Sequence, residues 1–322
     1  MLSKQAHRQA SRSITDALSS ERVSRDRTRR GARGRKRKLL AWAFMLPFFL
    51  VNFVVVLGPS LSTFYYAFTD WSGIGVAHFV GLANFEHLLH DIDFHQALIY
   101  NLLWVVMFLT VPIAMGLVGA FLLSQIKRFQ MFFRAVYFIP YVIASVVNAA
   151  IWQQLLDPQQ GLAFVLDRFG IHLLDNVYFF GDKKLALASV AFVDNWHFWG
   201  FLVVIYLSAM QAIDPELYNS ARVDGANRWR QFYHITLPGI RPVLGLSLLL
   251  VTVWSLLVFE YPFIITQGGP AGATQVMTIL LYKNAFALNE AGYAAAMGLC
   301  VSILAAIVAS IFVFIRRKGV EI

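Results

Sequence analysis

The chain has 322 residues, of which 58% are hydrophobic and only 14% are charged, and its formal net charge is +9. This composition is far from the average of soluble globular proteins and indicates that much of the chain has lipid as its solvent. The single cysteine, Cys300, excludes a disulfide framework and a metal cluster built on thiolates. Composition alone identifies no function.

The N-terminal arm, residues 1–38, carries 13 of the 27 Lys and Arg residues, and they are densest directly before the first apolar segment. A basic chain can attract nucleic acid, but basic residues in this position are typical of a signal that orients a membrane helix. The arm is predicted to be disordered or in loose contact with anionic lipid, because it has few apolar residues. The apolar run that follows is long and lacks a small-residue cleavage pattern, so we interpret it as a retained helix.

Six segments have the roughly 20 mostly apolar residues that a helix needs to cross a bilayer. They cover residues 39–64, 97–123, 132–156, 185–210, 243–265 and 293–315. Prolines in or beside these segments are expected to bend helices. The predicted fold class is an all-α polytopic membrane protein with six transmembrane helices, in a membrane domain of residues 39–322.

The distribution of Lys and Arg predicts the orientation of the spans, because cytoplasmic loops retain basic residues. With six spans, 23 of the 27 basic residues lie on one side, together with both chain termini. The other side holds only Arg168, Lys183, Lys184 and Lys283. Both termini are therefore predicted to be cytoplasmic.

The loop between predicted spans four and five, residues 211–241, has the pattern of two short helices joined by a glycine turn. Asp214 can cap the first helix and Asn227 the second, while Gly225 suits the positive φ that often follows a helix end. The second helix is expected to end at Pro238. DNA-binding helix-turn-helices have a similar outline, but both ends of this loop are tethered to membrane spans, which argues against that interpretation.

Residues 215–238 read PELYNSARVDGANRWRQFYHITLP and closely resemble the EAA signature of the permease subunits of binding-protein-dependent ABC importers. In this resemblance the opening triplet corresponds to Asn219, Ser220 and Ala221, the turn to Asp224, Gly225 and Ala226, and the end to Ile235, Leu237 and Pro238. Asn219 and Ser220 depart from the usual Glu-Ala, so position 219 offers an amide hydrogen bond in place of a salt bridge.

The resemblance implies a type I ABC importer permease, which is a transport subunit and not an enzyme. It implies that the loop forms coupling helices that dock on a separate ATPase, and the residues expected to couple are Glu216, Asn219, Ser220, Ala221, Asp224, Gly225, Ala226, Phe232, Leu237 and Pro238. The implied partners are a second homologous permease, two ATPase subunits, an extracytoplasmic solute-binding protein and membrane lipid, in a bacterial or archaeal cytoplasmic membrane. ATP and Mg belong to the partner ATPase. No cofactor is expected on this chain, whose sequence has no Gly-x-x-x-x-Gly-Lys-Ser/Thr motif.

Four further stretches resemble the carbohydrate-importer branch, the maltose-type first permease in particular, in their order and spacing. They are residues 81–85, 134–140, 196–201 and 266–270. This resemblance implies a sugar or sugar-like solute, with a di- or oligosaccharide favoured. Polyol and glycerol phosphate importers share these motifs, so the identity of the solute stays open.

Two carboxyl groups in the spans, Asp194 and Glu260, suggest a polar pathway for the solute, because a charge within a membrane needs water, a partner or a ligand. Sugar sites combine acceptors for hydroxyl groups with flat apolar faces. The candidate pathway residues are Asp194, Asn195, Trp196, Glu260, Tyr261, Asn148 and Gln153. The alternative is that Asp194 pairs internally, that Glu260 reaches the outer interface, and that the two amides of span three bond a neighbouring helix.

Two other functions fit parts of the sequence. A secondary transporter driven by ions would use Asp194 and Glu260 as coupling sites, but it leaves the loop at 211–241 unexplained and commonly shows internal repeats. A membrane enzyme, such as a lipid-linked glycosyltransferase, would need an acid cluster or metal-ligand spacing in one loop, and Asp91 with Asp93 is a thin signal. The importer is the preferred interpretation, and no metal site is predicted.

Overall fold

The computed structural model describes residues 42–126, 128–172, 174 and 176–317, with side chains through residue 314. The described residues divide into two units, one ending at Thr63 and the other beginning at Phe64. The predicted basic arm, residues 1–38, and the first three residues of the first predicted span lie outside the described residues.

The regular structure of the described ranges is helical. The helices are α1 (Trp42–Tyr66), α2 (Ala83–His90), α3 (Ile92–Ser124), α4 (Gln130–Val142), α5 (Ser145–Leu155), α6 (Leu162–Arg168), α7 (Ala186–Gln211), α8 (Pro215–Val223), α9 (Arg228–Gly239), α10 (Arg241–Leu256), α11 (Glu260–Thr266), α12 (Met277–Tyr282) and α13 (Ala291–Arg317). Turns of π-helix lie within α1 at Phe53–Leu57, within α9 at Phe232–Thr236, and directly after α12 at Lys283–Ala287. In these ranges β-type pairing is limited to an isolated bridge between Thr69 and Phe79. The all-α fold class is thus confirmed.

Four helices, α1, α3, α7 and α13, are each long and apolar enough to cross a membrane. Two bent pairs, α4 with α5 and α9 with α10, each pass the same test when taken together, which allows up to six spans. The sequence-based count of six is the upper end of this range.

The third predicted span, residues 132–156, is broken in the middle. Helices α4 and α5 meet at 93°, because Ile143 and Ala144 between them adopt ψ angles of 133° and 136° instead of helical values. Pro140 lies in the last turn of α4 and has no N–H group to continue the helical hydrogen-bond pattern. The bend expected from a proline in this segment is therefore present, in the form of a break between two helices.

The fifth predicted span, residues 243–265, is also interrupted. Helix α10 ends at Leu256, and α11 begins only at Glu260. Pro262 lies in the first turn of α11, where a missing N–H group is tolerated. The carbonyl groups at the end of α10 must therefore find partners outside their own helix.

Helices α3 and α7 are in close backbone contact through two glycines. A Cβ atom on Gly116 would lie 2.7 Å from the Cβ of Leu202, and one on Gly119 would lie 2.8 Å from the Cγ2 of Val203. Carbon atoms in ordinary contact are about 3.5 to 4.0 Å apart. Glycine at these two positions therefore lets the helices approach, as small residues commonly do in membrane bundles.

Helix α4 crosses α7 at a still closer point. A Cβ atom on Gly200 of α7 would overlap the carbonyl oxygen of Tyr137 in α4. The rings of Tyr137 and Trp199 pack edge to face beside this crossing, with centroids 5.0 Å apart. Two of the stretches that resemble carbohydrate importers, residues 134–140 and 196–201, are therefore in direct contact.

Hydrogen bonds hold α2 to the segment before it and hold the start of α3 to α13. The side-chain amide of Asn84 donates to the carbonyl oxygens of Ala67 and Thr69, both at 2.9 Å. The hydroxyl of Tyr293 in α13 donates to a carboxylate oxygen of Asp91 at 2.5 Å. Asp91 also caps α3, so one carboxylate joins the first turn of α3 to α13.

Candidate coupling loop and solute cavity

Helices α8 and α9 form the helix-turn-helix that the sequence predicts between the fourth and fifth spans. A carboxylate oxygen of Asp214 accepts the N–H of Glu216 at 2.9 Å, and the side-chain oxygen of Asn227 accepts the N–H of Arg230 at 2.9 Å. Short polar side chains at these positions satisfy the free N–H groups of a first helical turn. Both predicted caps are confirmed.

The turn between the two helices depends on the backbone of Gly225, which has φ +76°. Its N–H donates to the carbonyl oxygen of Arg222 at 3.1 Å, and the N–H of Ala226 donates to that of Ala221 at 2.8 Å. A left-handed residue after a helix end makes these bonds possible. A Cβ atom on Gly225 would meet nothing within 4 Å, so the backbone conformation, and not lack of space, requires glycine.

Two side-chain hydrogen bonds stabilise the loop, one between its two helices and one between α9 and the turn. The hydroxyl of Tyr218 in α8 lies 2.9 Å from that of Thr236 in α9, and Thr236 is only 4% exposed. The side-chain amide of Gln231 donates to the carbonyl oxygen of Ala226 at 2.8 Å. The pair of helices is therefore braced across the turn.

Aromatic contacts attach the loop to the membrane bundle. The ring of Phe121, near the end of α3, lies 4.9 Å from that of Phe232 and 5.8 Å from that of Trp229, measured between centroids. A Cβ atom on Gly239 would lie 2.7 Å from the Cδ1 of Ile213, so the end of α9 also rests on the segment that leaves α7. These contacts can therefore transmit a displacement of the loop to α3 and α7.

Helix α9 ends one residue later than expected, at Gly239, and meets α10 at 69°. Its π-helical turn, Phe232–Thr236, comes directly before Leu237 and Pro238, which begin a new α-helical turn. A proline is tolerated in a first turn because its missing N–H has no partner to lose there. The helix therefore passes through Pro238 and bends just after it.

The ten predicted coupling residues divide into two groups by exposure. The exposed group is Glu216, Asn219, Ser220, Asp224 and Gly225, and the half-buried group is Ala221, Ala226, Phe232, Leu237 and Pro238. Asn219 is held within its own helix, because its side-chain oxygen accepts from the guanidinium of Arg222 at 2.5 Å. The exposed group is open to a partner, and Phe232 of the half-buried group packs on Phe121 of α3.

A cavity of about 800 Å³ lies between the loop and the ends of α3, α4 and α7. Arg222 and Arg228 are the charged residues among the described residues that line it, with Gln125, Gln130 and Gln211 on the opposite wall. One side of the loop therefore contacts the bundle, and the cavity separates its other side from the ends of these helices.

We expect Tyr218→Phe to weaken the brace between the two helices. One partly buried hydrogen bond is lost, which destabilises the braced form by about 1 kcal/mol. ATP-driven uptake should fall several-fold at unchanged protein level in the membrane. Tyr233→Phe is the matched control, since that side chain is 59% exposed. Equal uptake by the two variants would contradict the bracing role.

Asp194 lines a small aromatic cavity of about 70 Å³ between α3, α7 and α10. The other lining residues are Trp104, Phe108, Phe198, Val251, Trp254, Ser255 and Val258. The hydroxyl of Ser255 is buried and has no hydrogen-bond partner among the described residues. A carboxylate, a free hydroxyl and flat rings are the groups that bind a hydroxylated solute, but this volume holds only a few water molecules.

The two amides of span three bond helix α11. The side-chain amide of Asn148 donates to the hydroxyl of Tyr261 at 2.9 Å, and that of Gln153 donates to the carbonyl oxygen of Ile265 at 3.0 Å. Asn148 and Tyr261 are both buried. These side chains therefore join α5 to α11, whatever further contact they make with a solute.

The remaining candidates point to different places. The amide of Asn195 lies 3.4 Å from the sulfur of Met115 on α3, and the ring of Trp196 packs edge to face on Trp152 at 5.4 Å. Glu260 is exposed in the first turn of α11. Of the seven predicted pathway residues, Asp194 lines the small aromatic cavity, and Asn148 and Tyr261 bond each other.

Sequence reasoning missed two polar residues near this cavity. Ser255 is a lining residue, and Asn101 of α3 is fully buried and bonded to the end of α10. Each is an isolated polar residue in an apolar segment, which is the signal that could have found them. Within the described ranges, no group of three or more His, Cys, Asp or Glu side chains is placed to hold a metal ion.

Residues 113–319 match the family model described as "Binding-protein-dependent transport system inner membrane component". The chain is 33% identical over 281 residues to a probable ABC transporter permease of Pyrococcus horikoshii, covering 86% of this chain and 96% of that one. It is 32% identical over 306 residues to the permease of a diacetylchitobiose uptake system of Streptomyces coelicolor, covering 89% and 87%.

The fold has a counterpart among solved structures. A chain of a bacterial ABC transporter involved in the import of the acidic polysaccharide alginate superposes with a TM-score of 0.79, at 24% identity, over 88% of this chain and 96% of that one. At this identity the likeness concerns the fold. With the matches in sequence, it shows that the chain belongs to the family of inner membrane components of binding-protein-dependent transport systems, which are transport subunits and not enzymes.

Proposed function

We propose that this chain is the permease subunit of an ATP-driven importer for a sugar or sugar-like solute, with a di- or oligosaccharide favoured. In this proposal it forms half of the translocation pathway and takes mechanical work from a separate ATPase through the loop at residues 211–241. The observation that carries the proposal is the loop itself, a capped and braced helix pair that joins α7 to α10 and rests on α3.

The loop has the properties that a mechanical link needs. Its turn is held by backbone bonds at Gly225 and Ala226, and its helices are joined through Tyr218 and Thr236. The exposed group, which includes Glu216 and Asp224, is proposed to dock in a cleft of the ATPase. A stiff loop transmits a displacement to α7 and α10 instead of absorbing it.

The proposed partners follow from the family. A binding-protein-dependent system requires a solute-binding protein outside the membrane. We further propose a second homologous permease and two ATPase subunits, which bind the ATP and Mg. Both termini are proposed to be cytoplasmic, because 23 of the 27 Lys and Arg residues then lie on that side.

The proposal of a sugar rests on two observations. A relative that matches over most of the chain belongs to a diacetylchitobiose uptake system, which carries a sugar. The cavity at Asp194 combines a carboxylate and the free hydroxyl of Ser255 with the rings of Trp104, Phe198 and Trp254. Because this cavity is too small for a sugar ring, it must widen during transport.

The test is to reconstitute the chain with its permease, ATPase and binding-protein partners in lipid vesicles. We expect a di- or oligosaccharide to accelerate ATP hydrolysis and to accumulate inside the vesicles only when ATP is supplied. The rival is an ion-coupled carrier in which Asp194 and Glu260 are the coupling sites. Accumulation by the chain alone, driven by a proton or sodium gradient and indifferent to ATP, would establish the rival.

A further inference from the structure

The two breaks in the predicted spans are each held by side chains from other helices. At the break between α4 and α5, the carbonyl oxygen of Ile143 accepts a hydrogen bond from Nε2 of His197 in α7 at 3.1 Å. Without that bond, a carbonyl group within the bundle would lack a partner, which is unfavourable in a protein interior.

The break after α10 is held from two sides. The amide nitrogen of Asn101 in α3 donates to the carbonyl oxygens of Ser255 at 3.0 Å and Leu256 at 3.3 Å. The oxygen of the same amide accepts the N–H of Met277, the first residue of α12, at 3.0 Å. One fully buried side chain therefore satisfies the end of one helix and the start of another.

Thr278 completes this arrangement. Its hydroxyl donates to the carbonyl oxygen of Val258, in the middle of the break between α10 and α11. The two side chains approach the break from α3 and from α12. Between them they bond the carbonyl groups of Ser255, Leu256 and Val258, at or just beyond the end of α10.

The break also forms one wall of the cavity at Asp194. Ser255 and Val258 both line that cavity, and both carry a carbonyl group bonded by Asn101 or Thr278. Any movement of the backbone at the break therefore changes the volume available beside Asp194. The cavity must widen if a sugar is to occupy it.

We propose that the segment between α10 and α11 is a hinge of the solute cavity, and that Asn101 and Thr278 are positioning residues that hold it closed. This inference rests on the proposed function, and it specifies that the pathway opens at the break between α10 and α11. In the resting complex the two side chains keep the wall in the conformation described here, and ATP-driven movement breaks their bonds. Asn101 and Thr278 thereby limit ATP hydrolysis when no solute is bound.

The variants follow from the hydrogen bonds. Thr278→Val keeps the shape of the side chain and removes its donor, whereas Thr278→Ser keeps the donor. Loss of one partly buried hydrogen bond shifts an equilibrium by about five- to tenfold. Thr252→Val is the matched control, since the hydroxyl of Thr252 bonds the carbonyl oxygen of Leu248 within α10 itself, at 2.7 Å.

The measurement is the number of solute molecules taken up per ATP hydrolysed by the full reconstituted complex, together with its hydrolysis rate without solute. We expect Thr278→Val to lower the number of solute molecules taken up per ATP about fivefold. It should raise the rate of ATP hydrolysis without solute, at an unchanged amount of assembled complex. Thr278→Ser and Thr252→Val should match the native complex. A merely structural role would instead reduce assembly and leave the ratio as it is.

A second measurement needs no variant. Amide hydrogen exchange at residues 257–260 of the native complex should differ at least fivefold between the nucleotide-free and the nucleotide-trapped state, while exchange within α10 stays constant. Unchanged exchange at the break, or an unchanged ratio in Thr278→Val, would overturn the hinge. A native complex that carries no solute with ATP would overturn the proposed function, and this inference with it.

Discussion

Replacing Gly225 by proline should abolish ATP-driven uptake while the chain still inserts into the membrane. The φ angle of Gly225 is +76°, and proline is confined to about −65°. The turn between α8 and α9 must then be rebuilt, and the bond from the N–H of residue 225 to Arg222 is lost. Uptake into vesicles that contain the full complex should fall at least about a hundredfold, since a tenfold loss needs only about 1.4 kcal/mol.

Gly225→Asn is the control for this prediction. Asparagine adopts positive φ more readily than other residues with a side chain, and a Cβ atom at this position meets nothing within 4 Å. Uptake by this variant should stay within a few-fold of the native rate. Normal uptake by Gly225→Pro, or equal loss in both variants, would count against a rigid turn as the link to the ATPase.

Replacing Gly200 by alanine should prevent the bundle from packing, which is the largest effect on stability that we expect. A Cβ atom there would overlap the carbonyl oxygen of Tyr137, and backbone atoms cannot turn aside as a flexible side chain can. Helix α4 must move away from α7, at a cost of about 3 kcal/mol or more. The amount of folded, detergent-soluble chain and its unfolding temperature should both fall sharply.

Gly298→Ala in α13 is the matched control. Its Cβ atom would lie 3.2 Å from the Cδ1 of Leu281, which is the far end of a flexible side chain. The same substitution in another membrane helix should therefore change the unfolding temperature little. If Gly200→Ala were as stable as Gly298→Ala, the close crossing of α4 and α7 would be refuted.

The coupling loop was predictable because its determinants are local. The caps at Asp214 and Asn227 and the left-handed Gly225 act within a few residues of themselves, so their roles can be read along the chain. The lengths of the apolar runs likewise predicted the helices of the spans. A family resemblance in residues 215–238 then supplied a role that no local pattern provides.

The breaks in spans three and five were not predictable in the same way. Each is stabilised by partners distant in the chain, such as Asn101, which lies 154 residues from Ser255. An apolar run has the same composition whether the helix continues or stops. Pro140 indicated a bend in span three. The hydrogen bond from His197 that stabilises the break depends on how α7 packs, which the sequence does not show.

The candidate pathway was only partly predictable for a related reason. Asp194, Asn195 and Trp196 are adjacent in the chain, and adjacent residues on a helix point in different directions, about 100° apart. Only the tertiary structure decides that Asp194 faces a cavity while Asn195 faces Met115.

The glycine contacts between α3 and α7 determine how the pathway must open. With Gly116 against Leu202 and Gly119 against Val203, these two helices cannot slide past each other without a clash. Helices α3 and α7, which carry Phe108 and Asp194 of the cavity wall, are therefore expected to move together as a rigid body. We therefore expect the cavity to widen on its remaining side, where Val251, Ser255 and Val258 line it and the hinge after α10 lies.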